Sequence, residues 1–400
     1  MINIPDDLKI RKYYLDTCIT YIGKDIIKVI VGQRRTGKSY LLYQIIDYIR
    51  RYNPSANIVS INKELYEFNT IRTDNDLIAY VSAHEKEENN YLFIDEIQEI
   101  ENFEIALRSL FAEKKWDIWC TGSNASLLSS DIAGKLSGRY IEIPVYPLNF
   151  EEFLDFHGLG ISIELYYRFG GSPYLIHLPL KDEIVFQYLR GIYSTILFKD
   201  IVVRHKIRNV HFLEQLVLFI ASNTGYIITA KKISDYLKSQ RINVPPNLIL
   251  EYLQYLTDAF MLHKIRRADI QGKKIFEIGE KYYFNDIGLR NALWGFRIND
   301  INQILENVVL NHLLSHGYNV LCGYSGEREI DFICEKNNER SYIQVCYVLK
   351  DEKTIEREFG NLLQIKDNYP KYVVSTDSIE SSSYKGIKHL NIEKFLLSFK

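Results

Sequence analysis

No stretch of this 400-residue sequence approaches the roughly 18 consecutive apolar residues of a spanning helix, so no membrane contact is expected. Met1-Ile2-Asn3-Ile4-Pro5-Asp6-Asp7 lacks a basic region and an apolar core, so no signal peptide is expected. Cysteine is sparse and scattered, with five residues at positions 18, 120, 322, 334 and 346 and no Cys-x-x-Cys pair. That spacing argues against zinc and against a disulfide framework, and for a reducing, cytoplasmic setting. Methionine occurs only twice, and there are no internal repeats or low-complexity runs; Ser381 to Ser383 reads as a loop. The 46% hydrophobic and 25% charged composition excludes a disordered or fibrous chain. The length suits roughly two to four domains and a sizeable core.

What is present is concentrated near the start. Residues 32–39 read Gly-Gln-Arg-Arg-Thr-Gly-Lys-Ser, which fits G-x-x-x-x-G-K-[ST]. The run Ile26-Ile27-Lys28-Val29-Ile30-Val31 before it is apolar and β-branched, as a buried parallel strand requires. After it, Leu41, Leu42, Ile45, Ile46 and Ile49 recur at helical spacing. A glycine-rich turn between a strand and a helix cradles phosphates. Gly32 and Gly37 allow the turn, and the stretch Gln33, Arg34, Arg35 and Thr36 offers backbone N–H groups to phosphate oxygens. Lys38 brings a positive charge to the β- and γ-phosphates, and the Ser39 hydroxyl is a ligand for Mg²⁺. The expected cofactors are therefore ATP and Mg²⁺.

Hydrolysis needs acids beside that cradle. Tyr91-Leu92-Phe93-Ile94-Asp95-Glu96 is an apolar strand ending in two of them, roughly sixty residues after the loop. Asp95 is expected to hold Mg²⁺ through water, and Glu96 to orient and polarise the attacking water. A third strand, Trp116-Asp117-Ile118-Trp119-Cys120-Thr121, runs into Gly122-Ser123-Asn124, and Asn124 is the candidate γ-phosphate sensor.

These segments, followed by Thr-Gly-Ser-Asn-Ala-Ser-Leu-Leu, Gly138-Arg139-Tyr140 and Tyr146-Pro147-Leu148-Asn149-Phe150-Glu151-Glu152-Phe153, resemble a family across essentially the whole chain. It is the prokaryotic AAA+-type ATP-binding proteins with a C-terminal domain of unknown function, near the archaeal ATPase and STAND branch. The resemblance implies an ATP-dependent switch or motor core rather than a kinase. It also implies two further sites. Arg139 would be an arginine that reaches a γ-phosphate, often on a neighbouring subunit. Within Gly170-Gly171-Ser172-Pro173, Gly171 and Pro173 would lie against adenine.

The net charge of −2 is unevenly spread. Lys199 to Ile275 holds thirteen Lys/Arg against six Asp/Glu, an excess of seven, which leaves the remainder about nine negative. Such a basic module suits an anionic partner. Its pattern is an apolar helix at 211–222, a short strand Ile227-Ile228-Thr229, and a helix from Lys231 to Gln240. A third helix is capped by Asn247, with Leu248, Leu250, Leu253, Leu256 and Phe260 on its apolar side. Two strands, from Phe260 to Ile265 and from Lys274 to Ile278, flank Gly272. This order is expected to form a winged helix-turn-helix. The third helix carries Glu251 and Asp258 and no Lys or Arg, which disfavours base readout. Lys264, Arg266, Arg267, Lys273 and Lys274 instead point to contact between the wing and DNA phosphates.

The last hundred residues pose a different question. A helix beginning at Glu306, a strand with Asp331, and Ser341-Tyr342-Ile343-Gln344-Val345-Cys346-Tyr347 resemble the PD-(D/E)XK nuclease fold. The positions that would be acid and lysine there hold Gln344 and Cys346, and Lys350 is at the wrong spacing, so a degraded site is expected.

The expected fold is α/β. A P-loop ATPase core with a parallel sheet spans 1–150, a helical lid or linker 151–210, a winged helix-turn-helix 211–290, and a restriction-nuclease-like domain 300–400. The leading functional expectation is Mg²⁺-dependent ATP hydrolysis driving a conformational switch. The alternatives are a DNA-acting ATPase and an ATP-gated scaffold with little turnover. A homo-oligomer or a protein partner remains open at this point.

Overall fold

Five consecutive buried residues make Ile27–Val31 (β1) a strand covered on both faces, as its unbroken apolar run requires. The computed structural model describes residues 4–5, 8–125, 136, 138–158, 160–270, 279–325, 328–378 and 383–400. It divides into two units, Met1–Val145 with Asp258–Phe260, and Tyr146–Thr257 with Met261–Lys400.

In the first unit, β1 leads into α2 (Lys38–Tyr52), with α1 (Lys12–Ile19) preceding it. β2 (Asn57–Asn62), α3 (Asp74–Ala83), β3 (Asn90–Asp95), α4 (Phe103–Ala112), β4 (Trp116–Gly122) and β5 (Tyr140–Pro144) follow. The five strands form a parallel sheet in the order β2-β3-β4-β1-β5. Helices cover both faces, as right-handed crossovers between parallel strands demand. Leu41, Ile45, Ile49, Phe93 and Trp119 fill one side, and Leu77, Val81, Leu92, Leu107 and Ile118 the other. Because β4 lies between β1 and β3, the acids of β3 are separated from the loop after β1 by one strand.

The second unit opens with α5 (Phe150–His157). Asn149 and Glu152 form a reciprocal capping box, Glu152 N–H donating to Asn149 Oδ1 at 2.9 Å. This explains the polar residues of the Asn-Phe-Glu-Glu-Phe segment, while Phe150 and Phe153 are buried. α6 (Ile163–Phe169) ends at Gly170, whose φ of 74° is left-handed. α7 (Asp182–Thr195) and a π-helical segment (Ile196–Val203) precede α8 (Val210–Ser222), β6 (Ile227–Ile228), α9 (Ala230–Ser239) and α10 (Pro246–Asp258). Thr229 caps α9 by accepting from Lys232 N–H at 3.1 Å.

The helix expected to start at Asn247 includes Pro246, and its buried face is Ile249, Tyr252, Leu253 and Leu256. Leu250 is exposed, because it stands a third of a turn off that stripe. The strand β7 (Leu262–Asp269) pairs antiparallel with β8 (Glu280–Phe284). The expected second strand from Lys274 to Ile278, with Gly272, Lys273 and Lys274, lies outside the described residues, and so does the stretch from Ala133 to Lys135.

β7 also pairs parallel with β9 (Asn319–Ser325), through Arg267, Ala268 and Asp269 against Cys322, Gly323 and Tyr324. β9, β10 (Arg328–Lys336) and β11 (Glu339–Val345) form an antiparallel meander. β12 (Lys371–Ser375), β13 (Ser383–Tyr384) and β14 (Ile387–Asn391) complete a nine-stranded sheet in the order β13-β14-β12-β11-β10-β9-β7-β8-β6. The hairpin is thus continuous with the C-terminal strands. α11 (Ile287–Trp294), α12 (Ile301–Ser315), α13 (Glu352–Leu363) and α14 (Ile392–Ser398) complete the unit. Glu306 was expected to begin a helix, but it lies inside α12, which starts at Ile301 because Ile301, Ile304, Leu305 and Val308 all feed the core.

The turn at Gly170 and Gly171 is held by Asp286. Its Oδ1 accepts from Gly288 N–H at 2.8 Å and Gly171 N–H at 3.3 Å. A Cβ on Gly171 would stand 2.2 Å from the Leu148 carbonyl oxygen, so only glycine fits. Burial pushes the Asp286 carboxyl up to about 6, against those hydrogen bonds. The folded-state value exceeds the unfolded one of about 3.9, so folding takes up a proton between them. Stability is therefore expected to fall as pH rises from about 4 to about 6. Asp286→Asn keeps an oxygen acceptor and should flatten that slope; a urea midpoint series across this range that is unchanged by the substitution would refute the assignment.

Candidate functional site

The loop after β1 is shaped by close backbone approach. A Cβ on Gly32 would lie 2.2 Å from the Val145 carbonyl oxygen, which restricts the position to glycine. Gly37 caps α2 in the left-handed region at φ 92°, and Arg35 also has positive φ, 69°. These turns bring the loop carbonyls round the Lys38 ammonium, which donates to Gly32 and Gln33 carbonyl oxygens at 2.9 Å each. Thr36 Oγ1 donates to the Gln33 carbonyl at 2.9 Å. Arg11 Nη1 donates to the Thr36 carbonyl at 3.0 Å, and Arg11 N–H donates to Gln44 Oε1 at 3.2 Å, so the segment before α1 braces the loop. Arg35 is exposed; Gln33, Arg34, Thr36 and Lys38 are buried.

Parallel pairing puts the ends of β3 and β4 side by side, and there the acids meet. Thr121 Oγ1 donates to Asp95 Oδ1 at 2.5 Å and accepts from Glu96 N–H at 2.9 Å. One hydroxyl thereby fixes both carboxylate-bearing residues. Glu96 sits in the left-handed region, φ 60°, which turns its side chain out of the strand direction. Its Oε2 accepts from Gln98 Nε2 and from Ser123 Oγ, the latter at 3.2 Å. Burial raises the Asp95 carboxyl, opposed by hydrogen bonds from Thr121 and Ser39. Burial also acts to raise Glu96, but the charges of Lys38 and Arg34 together with hydrogen bonds from Gln98 and Ser123 outweigh it and hold that carboxyl below its usual range.

Ser39 and Asp95 hydrogen-bond to each other, so a hydroxyl and a carboxylate already stand together as oxygen donors. Among the described residues no cluster of three or more His, Cys, Asp or Glu side chains could hold a metal. This donor set fits Mg²⁺, which takes few protein ligands and relies on phosphate and water oxygens for the rest.

Asn124 is fully buried at the end of β4, next to Ser123. Arg139 is exposed and precedes β5; its carbonyl accepts from Ile27 N–H at 2.9 Å. Tyr140 pairs with Ile27 and Pro144 with Val31, so Arg139 stands at the opposite end of the sheet from the phosphate loop of its own chain. Gly171 and Pro173 belong to the second unit, in the turn held by Asp286. Thr121, Gln98, Arg11 and Glu64, which meets Arg34 Nη1 at 3.4 Å, were not singled out from sequence. Thr121 appeared there only as the last residue of the third expected strand.

Residues 24–154 match the family described as AAA domain, and residues 161–300 match a domain of unknown function. An uncharacterised protein of Haemophilus influenzae is 36% identical over 399 residues, covering 97% of this chain and 98% of that protein. The chain belongs to the same family as this protein. A Methanocaldococcus jannaschii relative, also described as uncharacterised, is 30% identical over 83% of this chain and 77% of its own length. Among solved structures, a Walker-type ATPase of Pyrococcus abyssi covers 71% of this chain and 95% of its own at 17% identity, with a TM-score of 0.49. The AAA domain carries the P-loop, the two acids and Thr121 within its matched span. Among the described residues, no helix is long and apolar enough to cross a membrane, and all five cysteines are free and buried.

Proposed function

We propose that this AAA-domain protein hydrolyses ATP with Mg²⁺ and uses the cycle as a conformational switch, with the second unit as sensor or effector. The observation that carries this reading is the Thr121 hydroxyl, which ties Asp95 and Glu96 together beside a loop whose lysine is already turned inward. Gln33 to Ser39 would hold the phosphates, and Ser39 and Asp95 the Mg²⁺. Bound Mg²⁺ supplies charge neutralisation at the phosphate oxygens. Glu96 would orient the attacking water and accept its proton, with Asn124 and Ser123 beside it. Gly171 and Pro173 are proposed adenine contacts. Steady-state ATP hydrolysis by the full chain, with and without duplex DNA, tests the reading. ATP binding without turnover under both conditions would replace it with an ATP-gated scaffold.

We further propose that 151–210 is a helical linker, 211–290 a winged helix-turn-helix and 300–400 a nuclease-like domain without nuclease chemistry. The helices α8, α9 and α10 with the β7–β8 hairpin support the second assignment. Asp331 N–H donates to Gln344 Oε1 at 3.4 Å, and Asp331 Oδ2 accepts from Val345 N–H at 2.8 Å, which supports the third. The neighbouring Glu306 is taken by Lys281 at 2.7 Å.

DNA contact is a second reading; on the hairpin Arg266 is exposed, whereas Lys264 and Arg267 are engaged. Lys264 pairs with Glu280 at 2.9 Å, and Arg267 lies over the Tyr324 ring at 4.6 Å. Lys231, Lys232 and Lys238 of α9 and Arg241 after it are exposed. Replacing these four by Gln should weaken non-specific duplex-DNA binding and lower the magnitude of its log–log salt slope by about 3.6. A slope unchanged by the replacement would exclude α9 as the contact.

A further inference from the structure

The phosphate loop follows β1, while Glu64 lies just past the end of β2 at the far edge of the sheet. β4 and β3 stand between them. At about 4.8 Å per strand, the ends of β1 and β2 are roughly 14 Å apart. Arg34 Nη1 nonetheless reaches Glu64 Oε1 at 3.4 Å. The line from that loop to Glu64 passes the C-terminal ends of β4 and β3, where Thr121, Ser123, Asp95 and Glu96 are gathered. Arg34 is only 7% exposed, whereas the Glu64 side chain is 52% exposed. A half-solvated, long ion pair of this kind contributes little and is readily exchanged for a better anion. The Arg34 charge is also felt at Glu96, together with that of Lys38.

We infer that Arg34 is the arginine that meets the γ-phosphate in the transition state, supplied in cis by the phosphate loop, and that Glu64 competes with the phosphate for it. This rests on the ATPase reading above. In the step concerned, the water oxygen bonds to the γ-phosphorus, the bond from that phosphorus to the bridging oxygen breaks, and ADP leaves. The water proton passes to Glu96. Arg34 neutralises charge building on the transferring and leaving oxygens. A planar, permanently charged guanidinium suits two such oxygens better than an ammonium does. Arg139, at the other end of the sheet, meets no phosphate of its own chain. The cis arrangement makes hydrolysis per chain independent of protein concentration.

The test compares Arg34→Ala, Arg34→Lys, Glu64→Ala and Arg139→Ala in the full chain. kcat and KM for ATP are measured over a range of protein concentrations, along with ADP binding in the presence and absence of aluminium fluoride. Arg34→Ala is expected to lower kcat by about 10³-fold with KM changed only a few-fold. It should retain ADP binding but lose the tightening that aluminium fluoride produces. Arg34→Lys should recover part of kcat, and Glu64→Ala should keep most of it. Wild-type turnover that survives Arg34→Ala within about threefold overturns this inference alone. So does a loss of ADP affinity equal to the loss of kcat, or turnover that requires Arg139 and rises with protein concentration. No wild-type turnover despite ATP binding overturns the ATPase reading itself, and the inference with it.

Discussion

Glu96→Gln is expected to lower the steady-state rate of ATP hydrolysis by about 10²- to 10³-fold while leaving ATP affinity within a few-fold. The amide keeps the shape of the side chain and its contacts with Gln98 and Ser123, but it cannot take a proton from water. Lys38→Ala should behave differently and lose ATP binding as well. It removes the cation that sits among the loop carbonyls and faces the phosphates, so the deficit appears in the ground state as much as in the transition state. The pair separates chemistry from binding. Direct titration with a fluorescent ATP analogue alongside phosphate release measures both. Glu96→Gln with unimpaired turnover would remove the water-orienting role from Glu96 and point to Ser123 or Asn124.

Lys281→Met is expected to destabilise the second unit by about 3–5 kcal/mol. The Lys281 side chain on β8 is 2% exposed and reaches Glu306 at 2.7 Å and Glu329 at 2.5 Å. Tyr283 donates a short hydrogen bond to the same Glu306 carboxylate. Burial alone would lower the Lys281 ammonium, but Glu306, the principal opposing charge, raises it well above its ordinary value. Because the folded-state value is raised, this contribution is complete below the unfolded value of about pH 10.4 and fades only above it. The deficit in the variant should therefore be constant between about pH 7 and 9.

Removing the lysine leaves Glu306 beside buried Asp331 with no cation between them, which is the source of the large effect. The double variant Lys281→Met with Glu306→Gln should regain part of the loss, since Asp331 then no longer faces the Glu306 charge, although Glu329 still lacks its partner. Hydrogen exchange in peptides covering β8 and β10 would locate the change. A Lys281→Met chain with wild-type protection there would show that the ion pair holds nothing together.

The phosphate loop and the Asp95-Glu96 strand end were legible in the sequence because their chemistry is local. A phosphate cradle needs its glycines, lysine and hydroxyl within one turn, and an apolar run that ends in acids marks where a buried strand meets solvent. Helices were legible for a similar reason, with Thr229 capping α9 and apolar residues returning every third or fourth position. Errors came where several neighbours compete. Leu250 has the character of a core residue, but its position on α10 faces outward. Lys264 and Arg267 read as available charges in the sequence, yet Glu280 and Tyr324 engage them, while Arg266 is exposed.

The sequence by itself determined a parallel α/β P-loop core, with the loop at 32–39 after β1 and the two acids at the end of β3. The tertiary structure decided how those parts are completed. The order β2-β3-β4-β1-β5 makes Thr121 a bridge between Asp95 and Glu96, sends Arg34 toward Glu64 and carries Arg139 to the far end of the sheet. It was tertiary structure, too, that set Lys281 among the carboxylates of α12 and β10. These partners lie some 25 to 48 residues apart in the chain. Local preference cannot specify such contacts; strand order and register do, and they follow from burying all the apolar faces at once.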